Sequence, residues 1–171
     1  ELQDRDWVTL SLEGLPPVAA GPFIVAGSHA LARTSPGKIA VLIEAGPAFG
    51  TGHHGTTLGC LLALDEVRRR RAIGKVLDLG TGSGVLAIAA MKAGAQSAIG
   101  TDIDFDSVRV ANENAEKNHV SGFTALHITG ANTPRIRQGG PYNTVFANIL
   151  MKPLIGLAPT IAPLTAPGGT I

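Results

Sequence analysis

Aromatic side chains are scarce in this chain, with five Phe, one Tyr and one Trp among 171 residues, which leaves little material for stacking nucleic-acid bases. Charge is nearly balanced at +1, so nothing draws the whole molecule toward phosphate backbones or anionic membranes. The single cysteine, Cys60, excludes an intrachain disulfide and fits a reducing compartment. It falls in an apolar helical pattern, where core packing outweighs nucleophilic chemistry. No apolar run reaches the ~20 residues that cross a bilayer, and no signal peptide is visible. The chain therefore reads as soluble and cytoplasmic. His53 and His54 have no ligand partner at helical i+4 spacing and no Cys or carboxylate cluster beside them, so no metal site is expected. His29, His119 and His127 stand isolated.

What is abundant is aliphatic. Hydrophobic residues make up 44% of the chain, mostly Ala, Val, Ile and Leu, which suits parallel strands buried on both faces. A chain of this length forms about one domain and buries roughly 70% of the surface it exposes when unfolded. Val8–Leu12 and Phe23–Val25 read as short strands joined by a Gly/Pro-rich link, 14–22, and Ile39, Val41 and Ile43 alternate as another strand. After a Gly/Ala loop over 45–55, Thr56 and Thr57 open a helix with Leu58, Leu61, Leu62 and Leu64 at helical spacing. Then follow strand 76–79, helix 85–93, strand 97–102, helix 107–118, strand 124–129, loop 130–141, strand 144–147, helix 152–162 and a strand from 169. Such alternation predicts a doubly wound α/β fold with a mostly parallel sheet and right-handed crossovers. Arg68–Arg71 read as a solvated helix end whose cations complement the helix dipole. The chain starts at Glu1 and stops at a turn entering a strand, 167–171, so both ends read as cut and the sheet as truncated at its C-terminal side.

The most informative run is Asp78-Leu79-Gly80-Thr81-Gly82-Ser83-Gly84, set between the strand Lys75-Val76-Leu77 and an apolar helix from Val85. Eighteen residues beyond Gly84, a second strand ends on Asp102. This is the layout of a nucleoside-binding βαβ unit, with glycines that let the backbone approach a ligand and a carboxylate placed for two ribose hydroxyls. A dinucleotide fingerprint would place glycine at 85, where this chain has Val85, so a dehydrogenase is disfavoured. The spacing here is GxGxG, the form typical of S-adenosylmethionine-dependent methyltransferases.

Three further segments sharpen the reading: Ala48-Phe49-Gly50-Thr51-Gly52-His53-His54-Gly55-Thr56-Thr57, Gly100-Thr101-Asp102-Ile103-Asp104, and Ala147-Asn148-Ile149-Leu150. In this order and at these intervals, over about residues 39–171, the chain resembles the methyltransferases that modify large-subunit ribosomal protein eleven, the PrmA type. The resemblance implies a Rossmann-like class I methyltransferase fold, S-adenosylmethionine as donor with S-adenosylhomocysteine as product, and protein amino groups as acceptors. It implies cofactor contacts from Phe49, Thr57, Asp78, Gly80, Gly82, Gly84, Asp102 and Asn148, and catalytic roles for Asn148 and Thr51. Residues 1–36 would be a β-rich lead-in and 37–171 the S-adenosylmethionine-binding domain. The partner implied is the ribosomal protein, with neither membrane nor direct nucleic-acid binding expected. Two positions depart from the family's pattern: Gly130-Ala131-Asn132 stands where an acidic residue often reads the adenine edge, and Asn143 where an aspartate is common.

Methyl transfer from a sulfonium is an in-line displacement, so the protein aligns two reactants and alignment alone is worth roughly 7–11 kcal/mol. The acceptor amine must be neutral. At pH 7 deprotonation costs about 4–5 kcal/mol for lysine and about 1 kcal/mol for an α-amino group. An amide such as Asn148 can accept from the amine N–H without a charge that would retain the ammonium proton. His53 and His54 are candidate bases. Asn148 could instead cap the following helix, and Asp104 is expected to cap the helix near Ser107. Two alternatives remain at this stage, a methyltransferase acting on a small molecule or RNA and a catalytically silent cofactor-binding module. Asn148-Ile149-Leu150-Met151 lacks the prolines and aromatic with which base-methylating enzymes clamp a nucleobase.

Overall fold

The computed structural model describes residues 17–31, 37–44 and 55–171. The expected strand Val8–Leu12, and Phe49, Thr51, His53 and His54, lie outside the described residues.

Three strands form a small sheet: β1 (Val18–Ala20), β2 (Phe23–Ala26) and β3 (Ile39–Leu42), with helix α1 (Ser28–Leu31) between the last two. β1 lies inside the stretch expected to be a link. It forms because Gly21, at φ +57°, reverses the chain and pairs Val18 with Val25 and Ala20 with Phe23. β3 runs parallel to β2.

Beyond these come α2 (Gly55–Arg70), β4 (Lys75–Leu79), α3 (Val85–Lys92), β5 (Ser97–Asp102), α4 (Phe105–Lys117), β6 (Phe123–His127), α5 (Pro134–Gly139), β7 (Tyr142–Phe146), α6 (Met151–Leu164) and β8 (Thr165–Thr170). The second sheet has the order β6-β5-β4-β7-β8, with every pairing parallel. Residues 76–79 of the central strand are all buried, as expected where helices cover both faces. The neighbouring α3 is apolar all round, and Val85 through Ala90 are buried. In α4 the buried positions Ser107, Val108, Ala111, Asn114 and Ala115 follow the helical period. One core joins both sheets, with Phe23, Val25 and Val41 packing into the same cluster as Val76, Val85 and Ile88. No helix among the described residues is long and apolar enough to cross a membrane.

Two further elements correct the sequence reading. The expected loop 130–141 contains α5, which Thr133 caps by accepting from the Ile136 N–H and Pro134 opens. The last strand begins at Thr165 rather than 169, because Tyr142 pairs with Thr165 before a register shift brings Thr144 to Thr170. Three of the four arginines are held within α2, Arg68 and Arg69 on Asp65 and Arg70 on Glu66, whereas Arg71 reaches across to the Asn143 carbonyl and the Thr170 hydroxyl.

Asparagine side chains on α4 and at its C-terminal cap tie the layers together. Asn112 accepts from the Ala125 N–H at 3.0 Å and donates to its carbonyl at 3.2 Å, clipping the outer rim of β6. Asn118 does the same to Leu42 of β3, accepting at 2.8 Å and donating at 2.7 Å.

Candidate active site

Strand order reverses between β4 and β7: β5 and β6 lie on one side of β4, and β7 and β8 on the other. Crossovers leaving a parallel sheet in opposite directions open a crevice at the strands' carboxyl ends. Here that crevice has a volume of about 1020 Å³. Leu79, Gly80 and Gly82 line it from β4 and the loop beyond, Thr101, Asp102 and Ile103 from the end of β5 and just past it, Ile128, Thr129 and Gly130 from the end of β6, and Asn148 through Met151 from the end of β7. Thr56, Ser107, Pro153, Gly156 and Leu157 complete the walls.

The glycine loop is pinned from several sides. Asp102 is half-buried, and its two oxygens accept from the Gly82 N–H at 2.9 Å and the Asp104 N–H at 3.0 Å. Each oxygen keeps a further lone pair for a ligand hydroxyl. Below the loop, the buried Asp78 carboxylate accepts from the Thr81 hydroxyl at 2.7 Å. Burial pushes the Asp78 carboxyl up to about 6, against the Thr81 and Ala87 hydrogen bonds and with help from the charge of Asp102. The Thr81 N–H donates to the Thr101 carbonyl at 2.9 Å, and Asn114 donates to the Ser83 carbonyl at 2.9 Å. Gly100 is required for this packing, since a Cβ there would stand 2.8 Å from Thr81 Oγ1. Gly84, at φ +82°, opens α3 against Ala111, and a Cβ at 84 would come within 3.2 Å of the Ala111 side chain.

Across the crevice, Asn148 donates to the Thr57 hydroxyl at 3.1 Å. The first residue before α6 is Leu150, and no side chain caps that helix, so Asn148 faces α2 rather than serving as a cap. Thr57 is fully buried behind it, while Thr56 reaches the crevice. Asp104 caps α4 through the N–H groups of Asp106 and Ser107, and the Ser107 hydrogen bonds hold its carboxyl below the usual carboxylate range. Because of that cap the helix starts at 105, two residues earlier than expected. Burial, and then the Asp78 charge, raise the Cys60 thiol, which keeps it protonated and unreactive.

The residues singled out by sequence thus divide. Gly80, Gly82, Asp102 and Asn148 meet at the crevice, whereas Asp78, Gly84 and Thr57 stand behind its walls. Asn143 does not approach it. Parallel strands put their amino ends at the opposite side of the sheet, where Asn143 accepts from the Lys75 N–H at 2.9 Å, so its departure from the family's pattern lies away from the crevice. Gly130 lines the crevice, and Ala131 is buried in the core behind it. Sequence reasoning missed Thr81, Asn114 and Ile149. The serine and threonine between the motif glycines were the one available signal, since loop hydroxyls beside a strand carboxylate tend to bond to it.

Fold and crevice together define a doubly wound α/β protein of the Rossmann-like type. A family model described as Ribosomal protein L11 methyltransferase (PrmA) matches residues 1–171. The ribosomal protein L11 methyltransferase of Caulobacter sp. (strain K31) is 49% identical over 170 residues, covering 99% of this chain and 59% of the relative. That of Rhizobium etli is 50% identical over 171 residues, with the same coverage. Among solved structures, the ribosomal protein L11 methylase from Lactobacillus delbrueckii subsp. bulgaricus superposes with a TM-score of 0.77 at 28% identity, covering 91% of this chain and 77% of that one. The chain belongs to the ribosomal protein L11 methyltransferase family, and it spans 59% of the length of the curated relatives it matches.

Proposed function

We propose that this chain carries an S-adenosylmethionine-dependent N-methyltransferase activity whose acceptors are amino groups, α-amino or lysine, of large-subunit ribosomal protein L11. The observation that carries the donor reading is Asp102, whose oxygens are aimed by two backbone N–H groups at the rim of the crevice and retain acceptor capacity for a ribose diol. The acceptor follows from the names of relatives that share about half of this chain's residues.

The residues present fit such a donor. A volume of about 1020 Å³ is at the upper end of the range for small-ligand sites, and the walls combine apolar side chains with a few polar groups that fix orientation. When bound, S-adenosylmethionine supplies a methyl group on a sulfonium. Asp102 would hold the ribose hydroxyls, and the backbone of Gly80 and Gly82 would lie against the ligand without side chains between. Asn148, its NH₂ edge engaged by Thr57, keeps its carbonyl oxygen for an acceptor N–H and orients that nitrogen without binding its proton as a carboxylate would. Phe49 and Thr51, outside the described residues, belong by likeness to the methyl-transfer pocket. The binding unit is assigned to residues 37–171.

Calorimetry on the chain should show saturable binding of S-adenosylhomocysteine that S-adenosylmethionine displaces; absence of both would overturn the reading. Asn148→Ala should lower methylation of L11 by roughly 100-fold or more while leaving most of the product affinity. If turnover and binding fell together, Asn148 would be a cofactor contact alone.

A further inference from the structure

His127 is isolated in the sequence but not in the fold. It closes β6 opposite Asp102, the last residue of β5, and the Ile128 N–H donates to the Asp102 carbonyl at 3.0 Å. One residue further along β5, the His127 ring takes over from the backbone, with its Nε2 2.9 Å from the Ile103 carbonyl oxygen. A carbonyl only accepts, so Nε2–H is the donor. The same peptide unit is held at its other end, since the Asp104 N–H donates to the Asp102 carboxylate at 3.0 Å. A trans peptide is planar, and its C=O and N–H point in opposite directions. Fixing the carbonyl on His127 therefore fixes the N–H toward Asp102. Phe105, first in α4, meets the imidazole in a T-shaped arrangement, with ring centroids 5.9 Å apart. Ile103 itself lines the crevice and is 71% exposed, an apolar side chain that a ligand there would cover.

We infer that His127 is a positioning residue for the donor: through the Ile103–Asp104 peptide it aims the Asp102 carboxylate and presents Ile103 to the nucleoside half of the ligand. The inference rests on the donor reading above, in which Asp102 holds the ribose hydroxyls. A carboxylate oxygen meets a hydroxyl well only over a limited range of angles, so its orientation has to be held. Two N–H groups hold it, from Gly82 and Asp104. The Gly82 donor belongs to the glycine loop, whereas the Asp104 donor turns with the peptide whose carbonyl His127 grips. Releasing that carbonyl to water leaves Asp102 at the crevice but widens the range of directions it takes. The ordering cost then falls on ligand binding and not on the fold. His127 is exposed, and its hydrogen bond is open to solvent, so its replacement takes little from the unliganded protein. The two bonds also run in one sense, from Nε2–H to carbonyl and from N–H to carboxylate, and each polarises the next.

The test is calorimetry of S-adenosylhomocysteine on the chain and on three variants, with the melting midpoint of each measured without ligand. His127→Phe keeps a ring against Phe105 but has no donor, and His127→Ala removes both. Each should weaken binding about tenfold while the unliganded midpoint stays close to that of wild type. His127→Gln places an amide N–H at the same distance along the side chain and should recover affinity to within about threefold of wild type. 5′-Methylthioadenosine, which has the nucleoside without the amino-acid end, should lose affinity by the same factor as the full ligand. Wild-type affinity in His127→Phe would overturn the inference, as would a Gln variant as weak as the Phe variant. A fall in the unliganded midpoint that accounts for the lost affinity would overturn it too, by making the residue a structural one. If wild type bound neither ligand, the donor reading itself would fall and this inference with it. Wild-type binding that all three variants share removes the inference alone.

Discussion

At Gly80 the backbone φ is +68°, and a Cβ would stand 2.3 Å from Ile149 Cγ2. An L-residue there meets a left-handed backbone cost of about 1–2 kcal/mol and an overpacking cost of typically 1–3 kcal/mol. Gly80→Ala should therefore destabilise the chain by about 2–4 kcal/mol, read as a lowered urea midpoint. Adding Ile149→Ala should recover only the steric share; full recovery would show that the backbone conformation is unimportant. The need for glycine at 80 was legible in the sequence, but its reason was not, because the obstructing methyl belongs to a residue 69 positions away. Asp102 was legible because its place, last in a strand and next to a glycine loop, is local information. The role of Thr57 as a support for Asn148 depends on α2 packing beside the end of β7, and no local pattern announces that.

Among elements, α4 shows best how much a periodic pattern reveals and where it stops. Its apolar positions and its Asp104 cap are written in the sequence. The work of its asparagines is not, since an amide pairing with a strand backbone looks in sequence like any polar residue on a helix. Asn118 satisfies both the N–H and the carbonyl of Leu42, 76 residues distant, and is 6% exposed. Truncation to Ala would leave two backbone groups without partners, at about 1–3 kcal/mol each. Asn118→Ala should accordingly lower unfolding free energy by about 2–4 kcal/mol, and Asn118→Asp, which sets a carboxylate oxygen against the Leu42 and Asn114 carbonyls, should not restore it. Equal stability of Ala and wild type would dismiss the clip. β8 was nearly invisible for a related reason: Thr165-Ala166-Pro167-Gly168-Gly169-Thr170 has the composition of a turn, and pairing with β7, not local propensity, makes it a strand.

For the whole molecule, the decisive feature is the reversal of strand order at β4 and β7, which brings Gly80, Asp102 and Asn148 to one crevice from three strand ends. Alternating strands and helices in the sequence implied a parallel sheet, but which strands neighbour one another is fixed only when the helices pack. A ligand held by three separate strand ends should stabilise the fold as a unit. At a hundredfold excess over Kd, S-adenosylhomocysteine should add about 2.7 kcal/mol and raise Tm by roughly 5–10 °C. A ligand-independent melting curve would argue that the crevice does not bind it. The Asn112 clip has a consequence at this scale too. Ala125 sits mid-way along β6, an edge strand of the sheet, and its outward N–H and carbonyl are already taken by a side chain of the same molecule. An extended segment of another chain arriving at that border finds its central anchoring point occupied, so the amide acts as a guard against edge-to-edge fibril growth.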